Sequence, residues 1–216
     1  MSIKLATGTQ LAIASTYGTG FTITAITNAN PAVATLSAAH GVIVGDIIEV
    51  NSGWDLIDKR LFRVSAVSTN DVTLEGLNTV STTDYPTGAG AGTGREITAW
   101  TSITQIQSLE TSGGDLNFAD ITTIADRTQK QIPTTRSPQQ INLVLFDDPA
   151  LAGYAAALAA STANALTGLR LVLPDSSRVL ANGYWSLNPT PQINVNQPIT
   201  AQLGFSAASL VTRYAT

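Results

Sequence analysis

Short runs of β-branched and apolar residues, separated by glycine, asparagine, aspartate and proline, recur along most of this sequence and restrict it to a strand-rich fold. In the run at 61–67, Phe62 and Val64 occupy alternate positions and can share one face of a strand, while Arg63 and Ser65 face the other way. The runs in this part of the chain recur about every ten residues, which predicts a small β-barrel or sandwich. They lie at 21–26, 33–36, 47–50, 61–67 and 72–74.

The second half predicts further strands and one α-helix. Strand signals lie at 97–106, 140–146, 169–173 and 178–180, and two more strands extend to Tyr214. Between them, Leu151, Tyr154 and Leu158 recur at helical spacing, so one helix face is expected to pack on a sheet. Asp148 is predicted as the N-cap of this helix and Pro149 as its first residue. The fold class is therefore mainly β with one α-helix.

Three segments are predicted from the changes in pattern along the chain. Residues 1–20 have little periodicity and are interpreted as an N-terminal arm that belongs with the second half. Residues 21–95 form a small β module that ends in a glycine-rich linker at 86–94, and residues 96–216 form the main domain. The glycine run has neither a preceding strand nor a following Lys-Ser/Thr pair, so it does not predict a phosphate site.

Charge is scarce in this chain. Hydrophobic residues make up 44% of it and charged residues only 12%, with a net charge of −4. Such a composition favours a protein that covers its surface with neighbours, although a stable secreted monomer is an alternative. Three lysines cannot form a basic stripe for tight nucleic-acid binding, and the absence of cysteine excludes disulfides and thiolate metal sites. Residues 1–8 lack signal-peptide features, and no apolar run is long enough to span a membrane.

No residue predicts catalysis, a cofactor or a firm metal site. His40 is the only histidine and stands beside Gly41 in a turn pattern, far from any nucleophile elbow. Asp148 next to Asp147 has a structural explanation as a helix cap. Trp54, Trp100 and Trp185 are scattered rather than grouped as a stacking platform. A weak surface cation site among loosely spaced aspartates stays open, and the chain is expected not to be an enzyme.

The segment from Val179 to Thr216 carries a single charged residue, Arg213, yet alternates polar and apolar positions as strands do. A face of asparagine, glutamine, threonine and serine hydrogen-bonds to other protein without the cost of desolvating charges. We therefore expect this segment to be buried between copies of the chain. The candidate interface residues are Tyr184, Trp185, Asn194, Asn196, Gln202 and Phe205.

The second half resembles the tail tube proteins of long-tailed, siphovirus-type bacteriophages. The resemblance is carried in order by QINLVLF at 140–146, DPAL at 148–151, LRLVLPD at 169–175, ANGYWSLNP at 181–189 and ITAQLGF at 199–205. It implies a β-sandwich that joins its neighbours into a barrel. The segment 21–95 departs from the family pattern and is interpreted as a barrel-like insertion on the outside of the assembly.

The resemblance implies a structural subunit of stacked hexameric rings that deliver the genome. Implied partners are other copies of the chain, tape measure, tail terminator and tail tip proteins, and double-stranded DNA in transit without tight binding. The implied location is the virion tail, assembled in the host cytoplasm without a membrane. A ring-to-ring loop is implied at Glu110, Asp115, Asp120, Asp126, Arg127 and Lys130. The alternatives are a binding or adhesion module of a virion or cell surface, and a hydrolase.

Overall fold

The computed structural model describes residues 7–215, which form fifteen strands and one helix. In chain order these elements are β1 (Gln10–Tyr17), β2 (Phe21–Ile26), β3 (Val33–Leu36), β4 (Ile47–Ser52), β5 (Arg60–Ser68), β6 (Asp71–Leu74), β7 (Gly92–Ile103), β8 (Ile106–Ser112), β9 (Leu116–Asp120), β10 (Gln131–Arg136), β11 (Gln140–Phe146), α1 (Ala152–Ala163), β12 (Leu166–Val172), β13 (Arg178–Leu187), β14 (Thr200–Ala207) and β15 (Thr212–Tyr214). The mainly β class with one helix is confirmed.

Strands β2 to β6 and the start of β7 form a closed barrel. Their order is β2-β3-β6-β5-β4-β7, and pairing of Phe21 with Gly94 joins the last strand to the first. The alternating apolar residues of these strands, among them Phe62 and Val64, fill the interior together with Trp54. Closure leaves the barrel without unpaired edges. The predicted barrel-like module is confirmed.

The glycine-rich stretch at 86–94 is not the flexible linker that its composition predicts. Gly92 and Gly94 are the first and third residues of β7, and a Cβ at Gly92 would overlap the carbonyl oxygen of Asn51 on β4. A Cβ at Gly90 would lie 3.0 Å from the ring of Trp54. These glycines allow close approach of chain segments. The boundary expected at residue 95 falls inside β7, which runs unbroken from the barrel into the second sheet.

The second half is a sandwich in which β13 belongs to both layers. One layer is β7-β1-β12-β13 and the other is β13-β14-β11-β8, while β15 also pairs with β13. Their inward side chains share one core with α1, and Leu169, Leu143 and Trp185 are among its members. The β-sandwich expected from the resemblance is confirmed.

The N-terminal segment is not an arm over its described residues. Residues 10–17 form β1, which lies between β7 and β12 and pairs with both. Leu11 and Ile13 are fully buried there because the strand sits in the centre of its layer. Residues 1–6 of the predicted arm lie outside the described part of the chain.

The start of the helix also differs from the expectation. Its N-cap is Leu151, and Asp148 instead accepts a hydrogen bond from the Ala150 backbone N–H in the preceding turn (3.1 Å). Pro149 therefore precedes the helix. Gly153 lets the first turn lie directly on β7, because a Cβ there would overlap the carbonyl oxygen of Ser102.

Barrel and sandwich share a small core of their own. Leu61 and Ile47 from the barrel pack with Ile97, Leu180 and Tyr214 from the sandwich. The Tyr214 hydroxyl accepts a hydrogen bond from the Arg63 backbone N–H (2.9 Å). The barrel is therefore packed against the rest of the subunit rather than tethered to it.

Candidate assembly surfaces

Strands β8, β11, β14 and the end of β13 present one face to solvent. Alternation places Asn142, Ser186 and Gln202 on this face, while their neighbours along the strands point into the core. A shallow depression lies over Gly204 and is lined mainly by such polar side chains, with Glu110 at its side. Over 106–112, 140–146, 183–187 and 200–207 the only charged residue is Glu110. We call this surface the polar face.

The predicted interface residues divide between two environments. Tyr184 is 47% exposed, and Gln202 is exposed on the polar face. Trp185 and Phe205 are only 3% and 2% exposed, and their rings stack edge to face with centroids 5.0 Å apart in the core. The prediction that these two side chains lie on an interface surface is wrong, because neighbouring residues of a strand point to opposite sides of the sheet.

Asn194 and Asn196 lie in the loop that joins β13 to β14, residues 188–199, and both are exposed. Sequence reasoning missed the apolar side chains of the same loop. Ile193 and Val195 are 73% and 89% exposed, and Ile199 is also exposed. Isoleucine and valine alternating with asparagine in a loop without charge was the signal that could have identified this patch.

The segment expected to bridge rings contains the hairpin of β9 and β10, and within the described part of the chain these two strands pair only with each other. At its tip, the Asp120 carboxylate accepts hydrogen bonds from the Thr122 hydroxyl and backbone N–H and from the Gln129 amide, and these lower the pKa of Asp120. Lys130 contacts the carboxylate of Asp126 and is the main cause of its lowered pKa. These two acids therefore brace the tip from within.

The other predicted bridging residues lie in different places. Glu110 is on β8, opposite Asn142 of β11, and is therefore part of the polar face rather than the hairpin. Asp115 stands at the hairpin base, where its carbonyl accepts a hydrogen bond from the Ser137 backbone N–H (3.0 Å). Arg127 is exposed near the tip. Sequence spacing could not separate a sheet residue from a hairpin residue within this polar segment.

The hairpin also carries exposed apolar residues that the sequence reasoning did not single out. Ile124 at the tip is fully exposed, and Phe118 is more than half exposed. The full set is Leu116, Phe118, Ile121, Ile124 and Ile132. Gly113 and Gly114 both have positive φ at the base, which lets the chain turn sharply out of β8. The hairpin is an apolar projection, which we call the apolar hairpin.

The residues considered for chemistry have structural roles. His40 braces a barrel turn, because its Nδ1 accepts from the Val42 backbone N–H (3.0 Å) and its Nε2 lies 3.1 Å from the Thr69 carbonyl oxygen. Within residues 7–215, no three acidic or histidine side chains come together as a metal-binding group. No helix in this part of the chain is long and apolar enough to cross a membrane.

Over its described residues, the chain thus presents a sheet face with a single charged residue, an open sheet edge at β8 and two apolar projections. These are surfaces for contact with other protein, so the fold defines the class of structural assembly subunits.

A family model described as phage tail tube protein matches residues 52–216. The chain belongs to this family and is a structural subunit of a phage tail tube, located in the tail of the virion. The family is structural rather than enzymatic. The resemblance seen at 140–205 is confirmed, and the match begins inside the barrel rather than at the sandwich.

Three solved structures are similar to the chain. A virion of a native gene transfer agent particle matches with a TM-score of 0.43 and 12% identity, covering 54% of this chain and 89% of that one. The tail of an empty gene transfer agent particle, computed with C6 symmetry, has a TM-score of 0.44 and 11% identity, covering 54% and 87%. The cap of an anti-feeding prophage tube has a TM-score of 0.38 and 16% identity, covering 53% and 83%. No curated protein matches the sequence.

Proposed function

We propose that this subunit assembles into stacked hexameric rings whose joined sheets surround the channel for genome delivery. The observation that carries the proposal is the polar face, a four-strand surface with one charged residue that ends in the open edge of β8.

The edges of this layer favour lateral joining. Among residues 7–215, β8 pairs only with β11 and has no strand on its other side. On the opposite side, pairing with β12 ends at Tyr184, and beyond it the Leu187 backbone N–H donates a hydrogen bond to the Ser161 hydroxyl of α1 (3.1 Å), so the helix covers this end of the β13 edge. The β8 edge therefore offers its backbone N–H and C=O groups to the neighbouring copy, and a closed ring leaves no such edge exposed.

The polar face suits the wall of a DNA channel. Asparagine, glutamine and serine side chains offer no positive charge to retain phosphate, and Glu110 adds one carboxylate per subunit that repels it. Double-stranded DNA therefore passes without tight binding.

The barrel belongs on the outside of the tube. It joins the subunit through β7 and the other layer of the sandwich, away from the polar face. We retain the division into the barrel module at 21–95 and the tube domain at 96–216 with 1–20, joined by the shared strand β7. Tape measure, tail terminator and tail tip proteins are the further proposed partners, and assembly takes place in the host cytoplasm.

Electron microscopy of the purified chain at high concentration tests this function. We expect rings or hollow tubes of uniform width. A matched pair of variants tests which surface lines the channel. Tubes of Gln202→Lys, on the polar face, should retain short duplex DNA at low salt, whereas tubes of Ser65→Lys, on the barrel surface, should not. A strict monomer, even with tape measure and tail tip proteins supplied as initiators, contradicts the proposal.

A further inference from the structure

The apolar hairpin and the β13–β14 loop lie at opposite ends of the same layer. Ser112, where β8 leads into the hairpin, is level with Gln140 of β11. Thr200, where the loop returns to β14, is level with Phe146 at the other end of β11. A strand of this length spans roughly 20 Å, so the two projections point away from each other along the strand direction.

Both projections expose apolar surface that no other described residue of the chain covers. An isolated two-stranded hairpin is marginally stable in water, and this one exposes both of its faces, with Phe118 on one and Ile132 on the other. At the other end, Ile193, Val195 and Ile199 are exposed in a loop that has no charged residue, and Phe146 is partly exposed on β11 beside it.

Asp120, Asp126 and Lys130 at the hairpin tip have their main contacts within the hairpin, whereas Arg127 is exposed. Asp126 contacts Lys130, and the Asp120 carboxylate accepts a hydrogen bond from the Thr122 hydroxyl (2.6 Å). With its acids used to fix the tip, the hairpin has mainly its aliphatic and aromatic side chains left to offer another protein. Its complement is an uncharged apolar patch, and the 188–199 loop provides one.

We propose that the apolar hairpin of one subunit docks on the 188–199 loop of a second copy in the next ring. This inference rests on the proposed tube function and adds the acceptor and the chemistry of the contact. Because donor and acceptor lie at opposite ends of the subunit, the contact is head to tail and repeats without closing. Because the contact is apolar, raising the salt concentration does not dissolve it, and sulfate strengthens it.

Cross-linking tests the contact directly, because the chain has no cysteine of its own. Phe118, Ile121 or Ile124 is changed to Cys together with Ile193→Cys or Val195→Cys, which gives six pairs. A panel is needed because a disulfide requires Cα atoms within about 7 Å. Pairs that still form tubes are oxidised and run on a denaturing gel without reductant. We expect at least one pair to give a ladder that extends beyond six subunits.

Single-cysteine variants control for random oxidation and should stop at dimers. The pair Val44→Cys with Val195→Cys uses a barrel residue whose exposure (59%) is close to that of Phe118 (56%), and it should give no ladder. A ladder that ends at six subunits indicates contact within a ring and overturns the inference. Tubes without any ladder overturn it as well, while leaving the tube function intact. Absence of tubes and rings in the unmodified chain refutes the tube function and this inference with it.

A charge exchange keeps the test decisive if the cysteine variants do not assemble. Ile124→Lys should prevent stacking, because an unpaired ammonium cannot enter an apolar contact without loss. Adding Val195→Glu should restore tubes, and should do so better at low salt than at high salt. Normal stacking of the single Ile124→Lys variant, or no rescue by the second change, contradicts the inference.

Discussion

Trp185 and Tyr184 are neighbours on β13, but we assign Trp185 to the core and Tyr184 to an assembly interface. Trp185→Ala removes a side chain that is 3% exposed and stacked on Phe205, so we expect a loss of about 4 kcal/mol in the free energy of unfolding. Tyr184→Ala removes a side chain that is 47% exposed and should change this free energy by less than about 0.5 kcal/mol. Tyr184→Ala should instead weaken assembly.

Urea unfolding of the unassembled chain, followed by circular dichroism, measures the difference. With an m-value of about 2.5 kcal/mol/M, the loss in Trp185→Ala lowers the midpoint by about 1.6 M. Trp185→Phe should fall between the two, because it keeps an aromatic ring and removes a buried indole N–H for which the described residues provide no acceptor. Equal midpoints for Trp185→Ala and Tyr184→Ala would refute the assignment of Trp185 to the core.

Three further predictions follow from particular contacts. Burial raises the pKa of Tyr214 to about 12, so the folded chain keeps this phenol neutral up to that pH. In the unfolded chain the phenol ionises near pH 10, so the stability that the buried phenol contributes is complete below pH 10 and is lost between pH 10 and about 12. Tyr214→Phe has no phenol to ionise, so between pH 10 and about 12 it should lose about 2–3 kcal/mol less stability than the normal chain, as measured by urea unfolding at several pH values. Gly153→Val should lower the melting temperature, because its side chain collides with the Ser102 carbonyl; an unchanged value contradicts the close packing of α1 on β7. Asp126→Asn should speed amide hydrogen exchange at the hairpin tip at neutral pH, because it removes the charged contact with Lys130. At pH values below the lowered pKa of Asp126 the two chains should exchange equally, because the normal carboxyl is then also uncharged. Equal exchange at neutral pH would show that this contact does not hold the tip.

Alternation of apolar residues made the strands predictable. The segments at 21–26, 33–36 and 140–146 were predicted with the bounds that the structure has, because one buried face imposes a period of two. The helix was predicted from its spacing, but its start was not, since Asp148 serves a turn and its side chain does not bond to the helix N-terminus. Local signals identify a capping residue without fixing which turn it closes.

Long-range packing caused the other errors. The glycines at 90–94 read as a linker because the sequence does not reveal the ring of Trp54 or the β4 backbone against which they lie. β1 was predicted as an arm because its sequence does not alternate. Both sides of the strand are covered, so its four residues at 11–14 are all buried. Trp185 and Phe205 were placed on the surface because the charge-free tail predicts an interface but does not say which strand face forms it.

Cryo-electron microscopy of the self-assembled tube tests the central claim most directly. We expect a hollow tube of stacked six-membered rings in which Asn142 and Gln202 face the axis and the barrel lies outside. A tube whose axis is lined by the barrel or by α1, or a preparation that contains only monomers, would contradict the account.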